Sequence, residues 1–252
     1  MKKTLFLIFV YLLIFSCSSK KDILFIQDID ENNEYSLEYA DIRIKPDDIL
    51  RIRVSSNSPE LSQIFSFDPI QSQTTMDSYR INGYLVNSDG FIKIPSLKPV
   101  YVNDLTITQA SNLIEKLLSD EEILSNSTVD IKIVNSYFTV LGEVNMPGRY
   151  SFLENNMNLF QALGIAGDLT INGKRDDIKI LSLKEGAMKI NSIDITSSEF
   201  LKSKKFQIFP GDIIIVNANN ARVKNAGIVG NFGNLLSVLS FILSTIIVIS
   251  NN

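Results

Sequence analysis

Residues 137–152 read "YFTVLGEVNMPGRYSF", two short apolar runs on either side of Pro147-Gly148. Proline presets φ at one corner of a tight turn and glycine takes the next without steric cost, so the stretch predicts strand, turn, strand. On its C-terminal side "NLFQALGIAGDL" (158–169) places Leu159 and Leu163 one turn apart, with Gly164 and Gly167 available to end a short helix. "DDIKILSL" (176–183) and "GAMKINSID" (186–194) then predict a hairpin about Glu185-Gly186, and "FPGDIIIV" (209–216) predicts a closing strand after Pro210-Gly211. Residues 136–217 thus read as an α+β unit of β-grasp-like topology.

An earlier unit meets this one with no flexible linker. "DIRIKPDDILRIRVSS" (41–56) puts Leu50, Ile52 and Val54 on one face and Arg51 and Arg53 on the other, which is strand alternation. Pro46 and Asp47 supply the turn before it, and Asp47-Asp48 is more readily a turn than a catalytic acid pair. Residues 55–79, with "SSNSPE" and "SQTTMDS", read as a long irregular excursion. "INGYLVNSDGFIKIPSL" (81–97) predicts two short strands paired as a hairpin about Ser88-Asp89-Gly90. Thr106 and Gln109 form a capping box ahead of Ile107, Ala110, Leu113, Ile114, Leu117 and Leu118 at helical spacing, and "STVDIKIV" (127–134) alternates as a strand. Residues 41–135 therefore predict one α+β domain.

The N-terminus is a targeting segment. Lys2 and Lys3 precede an unbroken apolar run from Leu5 to Phe15, and the small Ser16 stands before Cys17. Cys17 is the one cysteine in 252 residues, so no intrachain disulfide can form. Residues 1–16 read as a signal peptide and 17–40, which includes "QDIDENNEY" (27–35), as a polar tether. Removing residues 1–16 leaves 22 Lys and Arg against 28 Asp and Glu, with no basic stripe to suggest nucleic acid. Histidine is absent, which excludes Ser-His-Asp and Cys-His nucleophilic sites and His/Cys zinc sites; no metal or cofactor is expected.

Several of these stretches together resemble a known family. "LLIFSCSS" (12–19) is similar to a bacterial lipoprotein signal, in which Cys17 becomes the lipidated first residue. "GYLVNSDGFIKIP" with "LTITQASNLIEKLL" and "TVDIKIV" resembles the polysaccharide biosynthesis/export domain, here carrying Gly83, Asp89 and Gly90. The following unit resembles the soluble-ligand-binding β-grasp (SLBB) domain, through Gly142, Pro147, Gly148, Ala166 and Gly167 and the late Pro210, Gly211 and Asp212. The whole is similar to outer-membrane polysaccharide export lipoproteins of the Wza type. That resemblance implies an oligomeric channel for capsular or exopolysaccharide, a passive conduit without catalysis, made of a homo-oligomeric ring. It also implies an inner-membrane polysaccharide copolymerase as partner, often coupled to a tyrosine kinase. "PSLKPVYV" (95–102) departs from the family with Lys98-Pro99 in place of a glycine turn. A single β-grasp domain shortens the expected periplasmic vestibule.

The C-terminus, after a linker at 218–227, predicts a transmembrane helix over 228–250 that includes "LLSVLSFILSTIIVIS" (235–250) and carries no charge. At 100° per residue Phe232, Leu235, Leu236, Leu239, Ile242, Leu243 and Ile246 share one broad face, expected toward lipid. Asn231, Asn234, Ser237, Ser240, Ser244 and Thr245 gather on the other, with Val238, Phe241 and Val248 intruding. The polar stripe predicts a pore-facing surface; the alternative is that its hydroxyls bond carbonyls four residues back in their own helix.

Two rivals stand beside the conduit. One is a lipid-anchored carbohydrate-binding or scaffold protein of the cell envelope, against which the absence of tryptophan argues weakly. The other is a glycosidase with two carboxylates about 5–9.5 Å apart, for which Glu121-Glu122 and Asp176-Asp177 offer no distinguishing spacing.

Overall fold

The computed structural model describes residues 23–28, 34–35, 39–65, 83–184, 186–202, 206–220 and 232–250. The expected signal peptide, Cys17 and residues 221–227 of the expected linker lie outside the described residues.

The first unit runs β1 (Ile49–Ser55), α1 (Pro59–Phe65), β2 (Tyr84–Leu85), β3 (Phe91–Ile92), β4 (Val100–Tyr101), α2 (Ile107–Asp120) and β5 (Thr128–Ile133). β1 is the middle strand of an antiparallel sheet ordered β2-β1-β5. Its register sets Leu50 against Ile133, Ile52 against Ile131 and Val54 against Val129, all facing one core. The alternation that predicts the strand is thus also what fixes its register, because a slip of one residue would turn every branched side chain to solvent. α2 starts at a complete capping box, Thr106 Oγ1 accepting from Gln109 N at 3.2 Å and Gln109 Oε1 from Thr106 N at 3.0 Å. It buries Ala110, Ile114 and Leu118 and packs on β5, where Glu115 Oε1 accepts from Val129 N at 2.8 Å.

Two expectations for this unit are corrected. The irregular excursion opens with a helix, α1, whose Phe65 is buried and whose Phe65 carbonyl accepts from the Tyr84 hydroxyl at 3.2 Å. Its signal was present: Ser58 before Pro59, proline at the first helical position, then apolar Leu61, Ile64 and Phe65. The hairpin about Asp89 is also different. The turn forms, with Gly90 at φ +83 and Asn87 Oδ1 accepting from the Asp89 and Phe91 amides. Its flanking strands separate, however, β2 joining β1 and β3 joining β4 in a second, two-stranded sheet. The cause is Gly90, whose carbonyl accepts from Val102 N and Asn103 N and draws the following chain onto β4. A Cβ at Gly90 would stand 2.5 Å from Asn103 Cβ.

The second unit runs β6 (Tyr137–Gly142), β7 (Gly148–Ser151), α3 (Leu159–Ile165), β8 (Gly173–Lys184), β9 (Ala187–Ile193), a 3₁₀ turn (Ser198–Lys202) and β10 (Ile213–Ala218). Its mixed sheet is ordered β7-β6-β10-β8-β9, so the last strand lies between the first and the third, parallel to β6 and antiparallel to β8. α3 follows the first hairpin and buries Leu159, Ala162 and Leu163 in a core with Phe138, Val140, Ile178, Ile180, Ile214 and Val216. A capping box unforeseen in the sequence starts it: Asn158 Oδ1 accepts from Gln161 N, and Gln161 Oε1 from Asn158 N. The chain is α+β with mixed sheets and two cores, one drawn from residues 44–133 and the other from 138–216.

The expected transmembrane helix is overturned. No helix among the described residues is long and apolar enough to cross a membrane. The tail helix, α4, spans Phe232–Ser250, 19 residues. At 1.5 Å per residue that is about 28 Å, against a hydrocarbon core of about 30 Å. The expected span took its extra length from residues 228–231, which lie outside the described residues.

β6 and β10 meet most tightly at Gly142, where φ is +94 and a Cβ would stand 2.0 Å from the Val216 carbonyl oxygen. Gly211 has a similar φ of +88 but open space around it. Gly142→Ala is therefore expected to lose more than about 3 kcal/mol of stability and Gly211→Ala about 1 kcal/mol, in urea melts followed by circular dichroism. Equal losses would mean that the two strands part easily enough to admit a methyl group.

Candidate functional site

The second unit concentrates its polar loops at one end of the five-stranded sheet, where β6 runs out. Beyond Gly142 the chain bends into residues 143–146 and docks on the segment that leaves α3. Asn145 N donates to the Asp168 carbonyl at 3.0 Å, Met146 N to the Ala166 carbonyl at 2.9 Å and Asn145 Nδ2 to the Gly167 carbonyl at 2.7 Å. Thr170 closes the pair of loops, its amide donating to the Glu143 carbonyl and its hydroxyl to Glu143 Oε2 at 2.7 Å. The Tyr150 hydroxyl donates back to the Met146 carbonyl and holds the Pro147-Gly148 turn. Gly167, at φ +75, ends α3 in the left-handed conformation that glycine adopts freely.

The structure thus brings together Gly142, Pro147, Gly148, Ala166 and Gly167 at this end. Pro210, Gly211 and Asp212 lie at the other, before β10, where Asp212 is buried, its carboxylate accepting from Phe209 N and its carbonyl from Thr139 N. Gly83, Asp89 and Gly90 belong to the first unit. Of the shared motif, Gly90, Gly142 and Gly167 are positive-φ positions where a Cβ would crowd a neighbour, and Asp89 is exposed at the tip of its turn.

Arg175, which the sequence does not single out, anchors the same loop end. Its side chain is buried, Nη1 donating to the Gly173 carbonyl at 3.0 Å and both terminal nitrogens to the Thr170 carbonyl at 3.4 Å. Its Nε is buried without a partner among the described residues. Burial pushes the guanidinium below its ordinary value and Asp168 opposes the shift.

The tether also proves to be more than a spacer. Ile26 N donates to the Ile195 carbonyl at 3.0 Å and Gln27 N to the Thr196 carbonyl at 2.7 Å. Asp28 accepts from Ser198 N at 2.5 Å and from Ser197 Oγ at 2.9 Å, which holds its carboxyl below the usual range. Further on, Ala40 pairs through both its backbone groups with the Gln207 side-chain amide, at 2.7 and 2.9 Å. Residues 23–28 form a strap across the second unit. Its Ile23–Ile26 run is apolar, with Ile26 against the core of the second unit and Phe25 against Phe160, but the pairing with residues 195–198 is too distant in the chain for the sequence to reveal.

In α4 the hydroxyls of Ser237, Ser240 and Thr245 donate to the carbonyls of Gly233, Leu236 and Phe241 at 2.8–2.9 Å, and Ser244 donates to Ser240. Each donor is engaged four residues back, as in the alternative to a pore-facing stripe. Every described side chain of the helix is exposed, Leu236 and Leu239 included. Asn231 and the side chains of Phe232, Asn234, Leu235, Ile242, Leu243 and Ile246 lie outside the described residues.

The acid pairs are structural. Asp47 takes φ +69 in the turn before β1, and Asp48 Oδ2 accepts from Lys45 N at 2.8 Å. Asp177 bonds Lys179 at 2.7 Å and Ser192 at 2.5 Å, which draws its carboxyl down to about 2. Glu121 faces Lys98 at 3.9 Å and Glu122 takes φ +55 beyond α2.

Comparison with known proteins assigns the first unit. Residues 37–134 match the family model for polysaccharide biosynthesis/export proteins. That match supports a role in polysaccharide export or biosynthesis. The match stops where the second unit begins. No curated protein matches the chain.

Asp48 supplies a test of the matched domain's electrostatics. Burial pushes its carboxyl up to about 6, above the 3.8 of a free aspartate. The folded state therefore holds the proton more tightly than the unfolded one, and the resulting stabilisation, complete below pH 4, is lost as pH rises through 6. Asp48→Asn, which keeps an acceptor for Lys45 N, is expected to raise stability by about 1–2 kcal/mol at pH 7.5. The gain should vanish at pH 4 in matched thermal melts; a gain independent of pH would assign it to packing.

Proposed function

We propose that the protein is the subunit of a homo-oligomeric outer-membrane conduit for capsular or exopolysaccharide, anchored by a lipid on Cys17 and acting without catalysis. The observation that carries the reading is the polysaccharide biosynthesis/export domain at residues 37–134. A lipoprotein-type signal ending at Cys17 supports it from the sequence. In this reading the second unit is an SLBB β-grasp domain. Its strand order, with a helix between two hairpins and the last strand laid parallel to the first, supports that assignment. The inner-membrane copolymerase, often coupled to a tyrosine kinase, is the partner that delivers the growing polymer to the ring.

Such a conduit does its work by surface rather than by reaction. A polysaccharide in transit needs a continuous hydrated path whose walls exchange hydrogen bonds with it weakly enough to let it go. Uncharged hydroxyls already bonded to their own helix, as at Ser237, Ser240, Ser244 and Thr245, keep acceptor lone pairs and offer the sugar no ionic grip.

Mass photometry of the full-length lipoprotein in mild detergent, beside a version truncated after Val223, tests the reading. A discrete ring-sized oligomer of the full-length protein is expected. Loss of that oligomer on truncation would assign the contacts to the tail, and its retention would assign them to the two units. A strictly monomeric full-length protein would overturn the conduit in favour of a lipid-anchored carbohydrate-binding or scaffold protein.

A further inference from the structure

The strap opens with three consecutive large apolar side chains that the second unit leaves exposed, Ile23 by 41 %, Leu24 by 51 % and Phe25 by 37 %. Phe25 meets Phe160 with ring centroids 6.0 Å apart, and the Arg175 guanidinium carbon stands 5.4 Å from the Phe25 centroid. The terminal nitrogens of the same guanidinium hold the carbonyls of Thr170 and Gly173. Between those two residues Ile171 projects with 71 % of its surface exposed. One buried cation thus ties the strap and the 170–173 turn into a single end of the unit that carries apolar tips on both. Isolated exposed apolar residues are ordinary, but this group sits on two unrelated segments joined by a dedicated contact.

The chain upstream says what covers it. Five residues separate Ile23 from Cys17, two of them Lys20 and Lys21. Six peptide steps reach at most about 21 Å. The hydrogen bonds of Ile26, Gln27 and Asp28 leave the strap no freedom to swing away from the unit. We infer that this end of the second unit rests on the leaflet that holds the Cys17 lipid. Ile23, Leu24 and Ile171 enter the headgroup boundary. The inference rests on the reading of Cys17 as the acylated residue, and it adds a fixed orientation: the lipid is a docking point for a preformed surface.

The acylated full-length protein in liposomes of phosphatidylethanolamine and phosphatidylglycerol provides the test. Acylation blocks the Cys17 thiol, so Ile171→Cys and Lys189→Cys variants each label at one site with a nitrobenzoxadiazole fluorophore. Position 171 is exposed and tolerates the change. Lys189, also exposed, pairs with Ser182 toward the far end of β8, about 30 Å from Gly173 along the strand. The label at 171 is expected to brighten roughly two-fold on membrane binding and to be quenched by roughly half with nitroxide-bearing lipid, with the label at 189 unchanged. Acylated protein whose label at 171 stays dim and unquenched would overturn the inference and leave the lipoprotein reading intact. An intact mass without acyl chains would overturn both.

Discussion

The approach of β6 to β10 at Gly142 is the constraint on which the second unit depends. With the Val216 carbonyl standing where a Cβ would be, only a glycine lets the first and last strands of the sheet run together to their ends. Glu143 N then donates to that same carbonyl, so the close contact becomes a hydrogen bond that starts the next loop. Everything at that end follows in sequence: residues 143–146 turn onto Ala166, Gly167 and Asp168, Thr170 locks Glu143, and Arg175 gathers the carbonyls of the turn after it. These hydrogen bonds tie the loops to one another, while Val144, Ala166 and Leu169 of the same loops anchor the cluster in the apolar core.

Legibility in the sequence follows the range of the interaction. β1, β5, α2 and the β8–β9 hairpin are set by periodicity and local capping, and they stand where alternation and the Thr106-Gln109 pair place them. The partition of the 81–97 segment between two sheets is not local. It depends on Asn103 and Val102 reaching the Gly90 carbonyl, and no pattern within the turn announces that. The helix α1 was legible from Ser58 and Pro59 but is masked by the polar composition around it. For the tail, hydropathy and an uncharged run point to a crossing, whereas no helix among the described residues, Phe232–Ser250 included, is long and apolar enough for one. Arg175 was invisible because its partners are main-chain carbonyls, which every residue possesses, and the strap because its contacts with residues 195–198 lie far along the chain.

The motif residues divide by physical role rather than by chemistry. Gly90, Gly142 and Gly167 supply backbone conformations that side chains resist, and Asp212 caps a turn from a buried position. A protein whose distinguishing residues are all of this kind is specified by shape.

The strap has a further consequence for the order in which the molecule is completed. Asp28 meets Ser197 and Ser198 across 169 and 170 positions of chain, and Ala40 meets Gln207 across 167. The whole first unit lies inside that loop. Closing it carries an entropic cost that grows only slowly with its length, so the long detour is thermodynamically tolerable, but it is late. Residues 23–28 wait through the synthesis of two cores before their partners exist. Fastening of this early segment therefore follows the formation of the cores that lie between its two ends.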